Sequence, residues 1–266
     1  MMMSRARLFC APEPPAQPGH TPPGWADVAS DAASSVKVVT IDGPAGSGKS
    51  TVSRVLANHL GWIYVNTGAI YRTLALMLFE AGTNVHDKGS VERFVAFLSE
   101  RYRQDSRSGR VYLGEREITH EIRTPFVSEQ ASIVAQDELV RRRLLPVQRR
   151  VVLDCNGAVV DGRDMGTVVF PDAPLKIFLT ATPEQRASRR AEELKSHGCS
   201  VDVSELVKEI HERDSRDANR SVAPMRAAED AVCVDSTEMD PQTVIQLILK
   251  YCFERGLVPT PTIAGM

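Results

Sequence analysis

The nine residues GPAGSGKST (43–51) decide the fold. They contain the pattern G-x-x-x-x-G-K-[ST], preceded by the β-branched run VKVVTID (36–42) and followed by a helical pattern over 49–61. Glycines in such a loop let backbone N–H groups close around a phosphate at the N-terminus of the helix. Because both flanks suit the motif, a chance glycine-rich turn is disfavoured. The stretch predicts a site for a nucleoside triphosphate, formed by Gly43, Pro44, Ala45, Gly46, Ser47, Gly48, Lys49, Ser50 and Thr51.

Two side chains of this loop carry specific chemistry. Lys49 would place a positive charge near the β- and γ-phosphates, and the Ser50 hydroxyl would bind Mg²⁺, partly through water. The sequence therefore predicts Mg²⁺ as the cofactor of a bound ATP.

The composition limits the partners. The chain has 266 residues, and its 32 basic and 34 acidic side chains give a net charge of -2. Bulk electrostatic binding to nucleic acid or to a membrane surface is therefore disfavoured. Five scattered cysteines without a CxxC indicate reduced thiols in a cytoplasmic protein, and the six histidines show no metal-binding spacing. No apolar run approaches the roughly 18–20 residues that span a bilayer.

The first 35 residues differ in character from the rest. Six of the 16 prolines lie between Pro12 and Pro23, among residues that include Ala, Gly and Thr. Such a stretch cannot bury enough apolar surface to fold, so residues 1–35 are predicted to be a disordered tail. The apolar run in MMMSRARLFC is too short for a signal-peptide core.

A chain that begins at Val36 is expected to keep its catalytic activity and its melting temperature, because the tail lacks the apolar content to join a core. Thermal denaturation and an activity assay of the shortened chain test this. Loss of the fold on truncation would show that the tail packs against the domain.

Strand and helix patterns alternate from residue 36 onward. The predicted strands are 36–42, 62–65, a run ending at Asp161, 175–181 and 231–235. The predicted helices are 49–61, 69–82, 91–100, a basic stretch over 125–149 that Pro146 could interrupt, one following Thr182, 202–219 and 241–255. Such alternation predicts an α/β fold with a parallel sheet covered on both faces. A hairpin over 101–118 and the neighbouring helices indicate an insertion, and the two helices between 183 and 220 indicate a mobile element.

The nucleotide site alone leaves two classes of protein open. A switch GTPase or a nucleotide-gated binding module would use the triphosphate to hold a conformation, whereas a kinase would pass the γ-phosphoryl group to a second substrate. The guanine motif N-K-x-D is absent from the sequence. A kinase needs a second anion site, rich in arginine, that faces the first.

Arginines occur in settings that suit such a site. In RDSRDANR (213–220), helical spacing brings Arg213, Arg216, Asp217 and Arg220 onto one stripe, which an external anion would complete. The alternative is a solvated helix face with mixed charges. Arg163 and Asp164 follow the end of a predicted strand, where parallel sheets bind ligands, although a local ion pair would also explain them.

Five segments together resemble bacterial cytidylate kinases, which are nucleoside monophosphate kinases. The segments are GPAGSGKST, NTGAIYR (66–72), EIRTPFVSEQAS (121–132), DGRDMGTVVFPDAPLKIFLTA (161–181) and RDSRDANRSVAP (213–224), and the likeness runs from about Lys37 to Tyr251. It implies a P-loop NTPase core with a parallel five-stranded sheet, a monophosphate-binding insertion with a small antiparallel sheet, and a helical lid. The implied bounds are 36–66, 151–182 and 223–266 for the core, about 67–150 for the insertion and about 183–222 for the lid.

The resemblance also implies a CMP site. Its residues would be Thr67, Gly68, Arg72, Ser132, Arg141, Arg163, Asp164, Asp217 and Arg220. Within it, Ser132, Arg141 and Asp164 would read the cytosine edge. Asp217 would receive the ribose hydroxyls, and the other arginines would hold the phosphate.

The implied reaction is ATP plus CMP or dCMP giving ADP plus CDP or dCDP, by a monomeric enzyme. Lys49, Arg163, Arg213 and Arg216 would be the catalytic residues. One departure is Asn66, where the family commonly has aspartate, so a charge-dependent role at this position is in doubt. A kinase for another small acceptor and a nucleotide-gated binding module remain the alternatives.

Overall fold

A computed structural model describes residues 36–84, 86–153, 155–196 and 202–258. The predicted tail over 1–35 lies outside these ranges. Within them, no helix is long and apolar enough to cross a membrane.

A parallel sheet of five strands forms the centre of the molecule. Its strands are β1 (Lys37–Asp42), β2 (Ile63–Asn66), β6 (Gly157–Asp161), β7 (Leu175–Thr180) and β8 (Val232–Asp235), in the order β2-β6-β1-β7-β8. The strands are rich in Val and Ile and are largely buried on both faces, as parallel strands are. The predicted α/β class and five-stranded parallel sheet are confirmed.

Eight helices surround this sheet or extend from it in the described part of the chain. They are α1 (Lys49–Leu60), α2 (Thr67–Glu80), α3 (Lys88–Arg101), α4 (Pro125–Val134), α5 (Glu138–Arg150), α6 (Pro183–Ser196), α7 (Val203–Asn219) and α8 (Pro241–Glu254). Side-chain alternation along β1 sends Val39 and Ile41 to a cluster shared with α1 and α8, and Val38 to a cluster on the opposite face. Both faces of the sheet are thus buried.

The insertion has its own hydrophobic cluster and its own small sheet. Three short antiparallel strands, β3 (Tyr102–Gln104), β4 (Val111–Leu113) and β5 (Arg116–Glu117), form that sheet. Leu74 of α2, Leu98 of α3 and Leu144 of α5 are fully buried in one cluster beside it. The predicted small antiparallel sheet is confirmed.

The expected break in the helical stretch over 125–149 lies elsewhere than Pro146. α4 ends at Val134, and α5 begins after Asp137, whose side chain accepts a hydrogen bond from the backbone N–H of Val140 at 3.1 Å. Pro146 lies inside α5, which continues to Arg150. An N-cap that satisfies a free N–H group determines where the new helix starts, and the missing N–H of one proline does not stop it.

The helices α6 and α7 pack against each other around a small cluster of their own, which includes Ala187, Ala191, Leu206 and Ile210. Arg186 of α6 joins this pair to the phosphate loop, since it donates to the Ala45 carbonyl at 3.1 Å and pairs with Asp214 of α7 at 2.6 Å. The pair therefore stands over the loop.

The carboxyl ends of three neighbouring strands, β2, β6 and β1, meet at one edge of the sheet. The parallel register sets Ile41 of β1 and Asn66 of β2 beside Asp161 of β6. The phosphate loop leaves β1 at this edge, α2 leaves β2, and the segment 162–164 leaves β6. Ligand-binding side chains from distant parts of the chain are brought together there.

Candidate active site

A deep cleft of about 820 Å³ opens at this edge of the sheet. Its walls are the phosphate loop, the start of α2, the segment after β6, parts of α4 and α5, and one face of α7. This volume lies within the range of small-molecule and cofactor sites in proteins.

The phosphate loop wraps the floor of the cleft in a conformation that its glycines permit. Gly43 has φ of +140°, and a Cβ there would lie 2.0 Å from the Leu179 carbonyl oxygen, so no other residue fits. Gly48, in the left-handed region, precedes α1 and leaves the helix without a side-chain cap. The free N–H groups of the first turn are therefore available to an anion.

Lys49 is buried on this floor, where its ammonium group donates to the Ser47 hydroxyl at 3.3 Å. Burial and the neighbouring Arg163 and Arg213 hold the pKa of Lys49 well below its usual value. Burial, with Arg163, also lowers the pKa of Arg213 to about 10. These positive charges repel one another, and a bound polyphosphate would relieve that repulsion.

Ser50 and Asp161 form a pair of oxygen ligands beside the loop. The Ser50 hydroxyl donates to Asp161 Oδ2 at 2.6 Å, and the Tyr64 hydroxyl donates to the same oxygen at 3.3 Å. Asn66 Nδ2 donates to Tyr64 at 3.0 Å and to Ser50 at 3.3 Å. Mg²⁺ prefers hard oxygen donors and usually keeps water and phosphate oxygens as most of its ligands. A site that offers only a few protein oxygens therefore suits it. The described residues contain no group of three or more His, Cys, Asp or Glu side chains that could hold a metal.

A chain of ion pairs crosses the far side of the cleft, and we call it the acceptor network. Its members are Arg141, Asp164, Arg220, Asp217 and Arg163. Asp164 pairs with Arg141 through Oδ2 and with Arg220 through Oδ1, the latter at 3.5 Å. Asp217 pairs with Arg163 at 2.9 Å and with Arg220 at 3.9 Å. Although burial alone would raise it, the pKa of Asp217 is lowered by Arg163 and Arg213.

Several buried polar atoms in the cleft wall have no hydrogen-bond partner among the described residues. They are Nε of Arg72, Oγ of Ser132, Nε of Arg141 and Nε of Arg213. Such atoms cost free energy when they remain unpaired, so they mark where a polar ligand would bind. Together with Lys49, the cleft cations outnumber the carboxylates of Asp161, Asp164 and Asp217, which leaves a net positive site for phosphates.

Comparison with known proteins identifies the family. The family model described as "Cytidylate kinase" matches residues 39–254. The chain belongs to the cytidylate kinase family. The cytidylate kinase of Pseudomonas paraeruginosa is 46% identical over 223 residues, covering 83% of this chain and 97% of that protein. Those of Pelotomaculum thermopropionicum and Stutzerimonas stutzeri are each 44% identical, over 79% and 84% of this chain and 93% and 97% of theirs.

Most residues predicted to form the site of this cytidylate kinase family member line the cleft. From the loop they are Ala45, Gly46, Ser47, Gly48, Lys49, Ser50 and Thr51, and from the remainder Thr67, Gly68, Arg72, Ser132, Arg141, Arg163, Asp164, Arg213, Asp217 and Arg220.

Three predicted residues lie outside the lining. Gly43 is pressed against Leu179, and the Pro44 carbonyl is turned inward to accept from the Ser47 hydroxyl at 3.0 Å. Arg216 is half-buried on α7 and is absent from the residues that line the cleft.

Sequence reasoning missed other side chains of the site. Asp161 was read only as the end of a strand, although a carboxylate at the carboxyl edge beside the loop strand is a signal that could have identified it. Tyr71 was missed as well: its ring lies 5.5 Å from the Arg141 guanidinium carbon, so it supports that arginine by a cation–π contact. Asn66 caps α2 by accepting from the Ala69 N–H at 2.9 Å, and the helix therefore starts two residues before the predicted boundary.

Proposed function

We propose that the chain transfers the γ-phosphoryl group of ATP to CMP or dCMP, giving ADP and CDP or dCDP. The observation that carries this proposal is the acceptor network, a second, arginine-rich anion site that faces the phosphate loop across one cleft. A nucleotide-gated binding module has no need of such a site. Membership of the cytidylate kinase family supports CMP as the acceptor.

CMP would bind along the acceptor network. Asp164, buried between two arginines, is a carboxylate that accepts from the exocyclic amine of cytosine. The Ser132 hydroxyl, which has no partner among the residues that the structure describes, assists it. Asp217 accepts from the ribose hydroxyls. Arg72, whose Nε has no partner within the described ranges, and Arg163 hold the phosphate, and Arg220 connects both ends of the network. Thr67 and Gly68 close the wall at the start of α2.

In the transfer step, an oxygen of the CMP phosphate forms a bond to the γ-phosphorus of ATP. The bond from that phosphorus to the β–γ bridging oxygen breaks, and ADP leaves with its electron pair. The acceptor oxygen is already anionic at neutral pH, so no strong general base is required. Lys49, Arg163 and Arg213 are the catalytic residues of the proposal, acting by positioning and by neutralising charge on the transferred group. Arg216, which the resemblance also implied as catalytic, does not line the cleft.

Ser50 and Asp161 would hold Mg²⁺, because their oxygens lie together beside the loop and are hard donors. When bound with ATP, the ion neutralises phosphate charge. Asn66 contributes by donating to the hydroxyls of Tyr64 and Ser50, which orients both toward Asp161.

The division into core, insertion and lid is also part of the proposal, with about 67–150 as the monophosphate-binding lobe and about 183–222 as the lid. Closure of α6 and α7 over the cleft would exclude water, which otherwise competes as acceptor. We propose further that the enzyme is a cytoplasmic monomer whose partners are its two nucleotides, with no role for nucleic acid. The net charge of -2 supports the last point.

Release of ADP in a coupled assay with CMP, dCMP, UMP, AMP and shikimate as acceptors tests the function. Turnover should be fast with CMP and dCMP, weak with UMP and absent with AMP and shikimate. ADP release that does not depend on any added acceptor would indicate an ATPase or a binding module. Preference for a non-nucleotide acceptor would assign the chain to another kinase class.

Arg213 and Arg216 provide a test of which α7 arginine reaches the transferred group. Arg213→Ala is expected to lower kcat by about 10²-fold, the usual loss when one preorganised donor to a developing charge is removed. Arg216→Ala should lower kcat by less than about threefold, because Arg216 does not line the cleft. Substitutions away from such sites usually have small effects. Steady-state kinetics of both variants with saturating ATP and CMP decides between them, and a larger loss in Arg216→Ala would reverse the assignment.

A further inference from the structure

Asp42 is a buried carboxylate in a place where no charge was expected. It is the last residue of β1, directly before the phosphate loop, and only 4% of its surface is exposed. Among the described residues it forms no ion pair. Its two oxygens instead accept hydrogen bonds from the backbone N–H groups of Met165, at 2.9 Å, and Gly166, at 2.8 Å.

Those two N–H groups are the first ones of a π-helical turn, Met165–Val169, whose N-cap position is Asp164. An aspartate at an N-cap normally accepts from the first free N–H groups of its own turn. Asp164 makes no such bond. Its oxygens point instead to Arg141 and Arg220 in the acceptor network. Asp42 therefore does the capping that Asp164 would otherwise do.

The surroundings fix this arrangement tightly. A Cβ at Gly162 would lie 2.7 Å from the side chain of Met165 and 2.8 Å from the Thr67 hydroxyl, so the chain packs closely here and only glycine fits. The Val168 N–H donates to the Asp164 carbonyl at 2.9 Å, which anchors the backbone of the turn.

Burial raises the pKa of Asp42 to about 7, against the opposing effect of the two amide hydrogen bonds. Burying a carboxylate without an ion-pair partner costs free energy unless hydrogen bonds to its oxygens offset that cost. The two oxygens of the Asp42 carboxylate give each N–H group its own acceptor, whereas an amide side chain has one oxygen and one NH₂ group.

We propose that Asp42 is a positioning residue that caps the turn after Asp164 and so leaves the Asp164 carboxylate free to recognise the base of the acceptor nucleotide. The inference rests on the proposed CMP kinase function and deepens it. The inference connects the two substrate sites. β1, which leads into the phosphate loop, also carries Asp42, and Asp42 determines the orientation of the Asp164 side chain that recognises the base. Without Asp42, Asp164 would rotate to cap its own turn and leave the cleft.

Asp42→Asn tests the proposal. The amide keeps one acceptor oxygen and turns an NH₂ group toward an N–H donor, so one cap is lost. We expect KM for CMP to rise about 10-fold and the CMP-to-UMP ratio of kcat/KM to fall about 10-fold, while KM for ATP changes less than about threefold. A merely structural loss would lower the melting temperature and weaken all substrates alike.

A double-mutant cycle with Asp164→Ala gives the second readout. If Asp42 acts through Asp164, the double variant should discriminate CMP from UMP no worse than Asp164→Ala alone, since Asp164 is already withdrawn. If the two substitutions instead lower the CMP-to-UMP ratio of kcat/KM independently, so that their factors multiply in the double variant, the proposal is overturned. Asp42→Ala, which removes both acceptors, should show a larger form of the same pattern. The result for Asp42→Ala is compared with that for Asp42→Asn, which is the smaller change, and thermal denaturation checks that Asp42→Asn is folded.

Thr40→Val is the matched control. Thr40 is buried on the same strand, two residues earlier, and its hydroxyl has no hydrogen-bond partner in the described chain. This variant should leave both KM values and the base preference unchanged. Wild-type turnover of CMP is measured first. If it is absent the proposed function fails, whereas normal turnover with equal losses for CMP, UMP and ATP in Asp42→Asn removes only the positioning role.

Discussion

Lys49→Ala is expected to reduce phosphoryl transfer to the background of a coupled assay, a loss of at least about 10⁴-fold, within the range that single cations contribute to phosphoryl transfer. Lys49 is buried on the floor of the cleft beside Arg163 and Arg213, where water cannot replace its charge. The affinity for CMP, measured by calorimetry without ATP, should stay within about threefold of wild type, because the acceptor network does not include Lys49.

The stability of this variant should not fall. Burial and two neighbouring arginines disfavour the charged form of Lys49 in the protein without nucleotide, as its lowered pKa indicates, so removing the ammonium group relieves repulsion. Lys208→Ala, a change of an exposed lysine on α7, is the control and should leave kcat and the melting temperature unchanged. A CMP affinity that falls as steeply as activity would contradict a site with two separate nucleotide pockets.

The regular part of the fold followed from local signals. The loop GPAGSGKST and its flanks predicted β1, α1 and their order, and the β-branched runs predicted the sheet. The errors concern features that side chains decide in three dimensions. The break before α5 depends on one capping contact of Asp137, and the early start of α2 depends on one of Asn66. In these two places, a single capping contact determines the helix boundary more strongly than a proline or the hydrophobic periodicity of the sequence.

The site was predictable where a motif fixes both residue type and spacing, and not where it depends on long-range contacts. Lys49, Asp164 and Asp217 could be found because they stand in recognisable segments. The partners that give these residues their chemistry cannot be read from spacing: Asp42 meets the turn at Met165 across 123 positions, and Ser50 meets Asp161 across 111. Asp42 reads in the sequence as an ordinary residue before a turn, because nothing local distinguishes a solvated carboxylate from a buried cap.

Both substrate sites share a single electrostatic logic. Arg72, Arg141 and Arg213 each have a nitrogen without a hydrogen-bond partner in the described part of the chain. The carboxylates of Asp161, Asp164 and Asp217 are each held by at least one arginine or hydroxyl. The anions therefore order the cations without neutralising them. In the proposed function, Asp164 and Asp217 are the carboxylates that recognise the base and the ribose of CMP, so removal of either should change selectivity as well as affinity.

Asp164→Ala is accordingly expected to lower kcat/KM for CMP by up to roughly 10⁴-fold, the range in which a buried polar site discriminates against a mispaired group, and to lower that for UMP far less. The carboxylate accepts from the cytosine amine but repels the carbonyl that uracil presents at the same position. Asp164→Asn should lower kcat/KM for CMP and raise it for UMP, because its amide keeps one acceptor and offers a donor to uracil.

Arg72→Ala is the control and should weaken CMP and UMP alike, since Arg72 would serve the phosphate that both share. Steady-state kinetics with both acceptors measures the ratios. Thermal denaturation checks that Arg141 and Arg220, which lose their partner, still permit folding. Equal losses for CMP and UMP in a folded Asp164→Ala variant would remove Asp164 from base recognition.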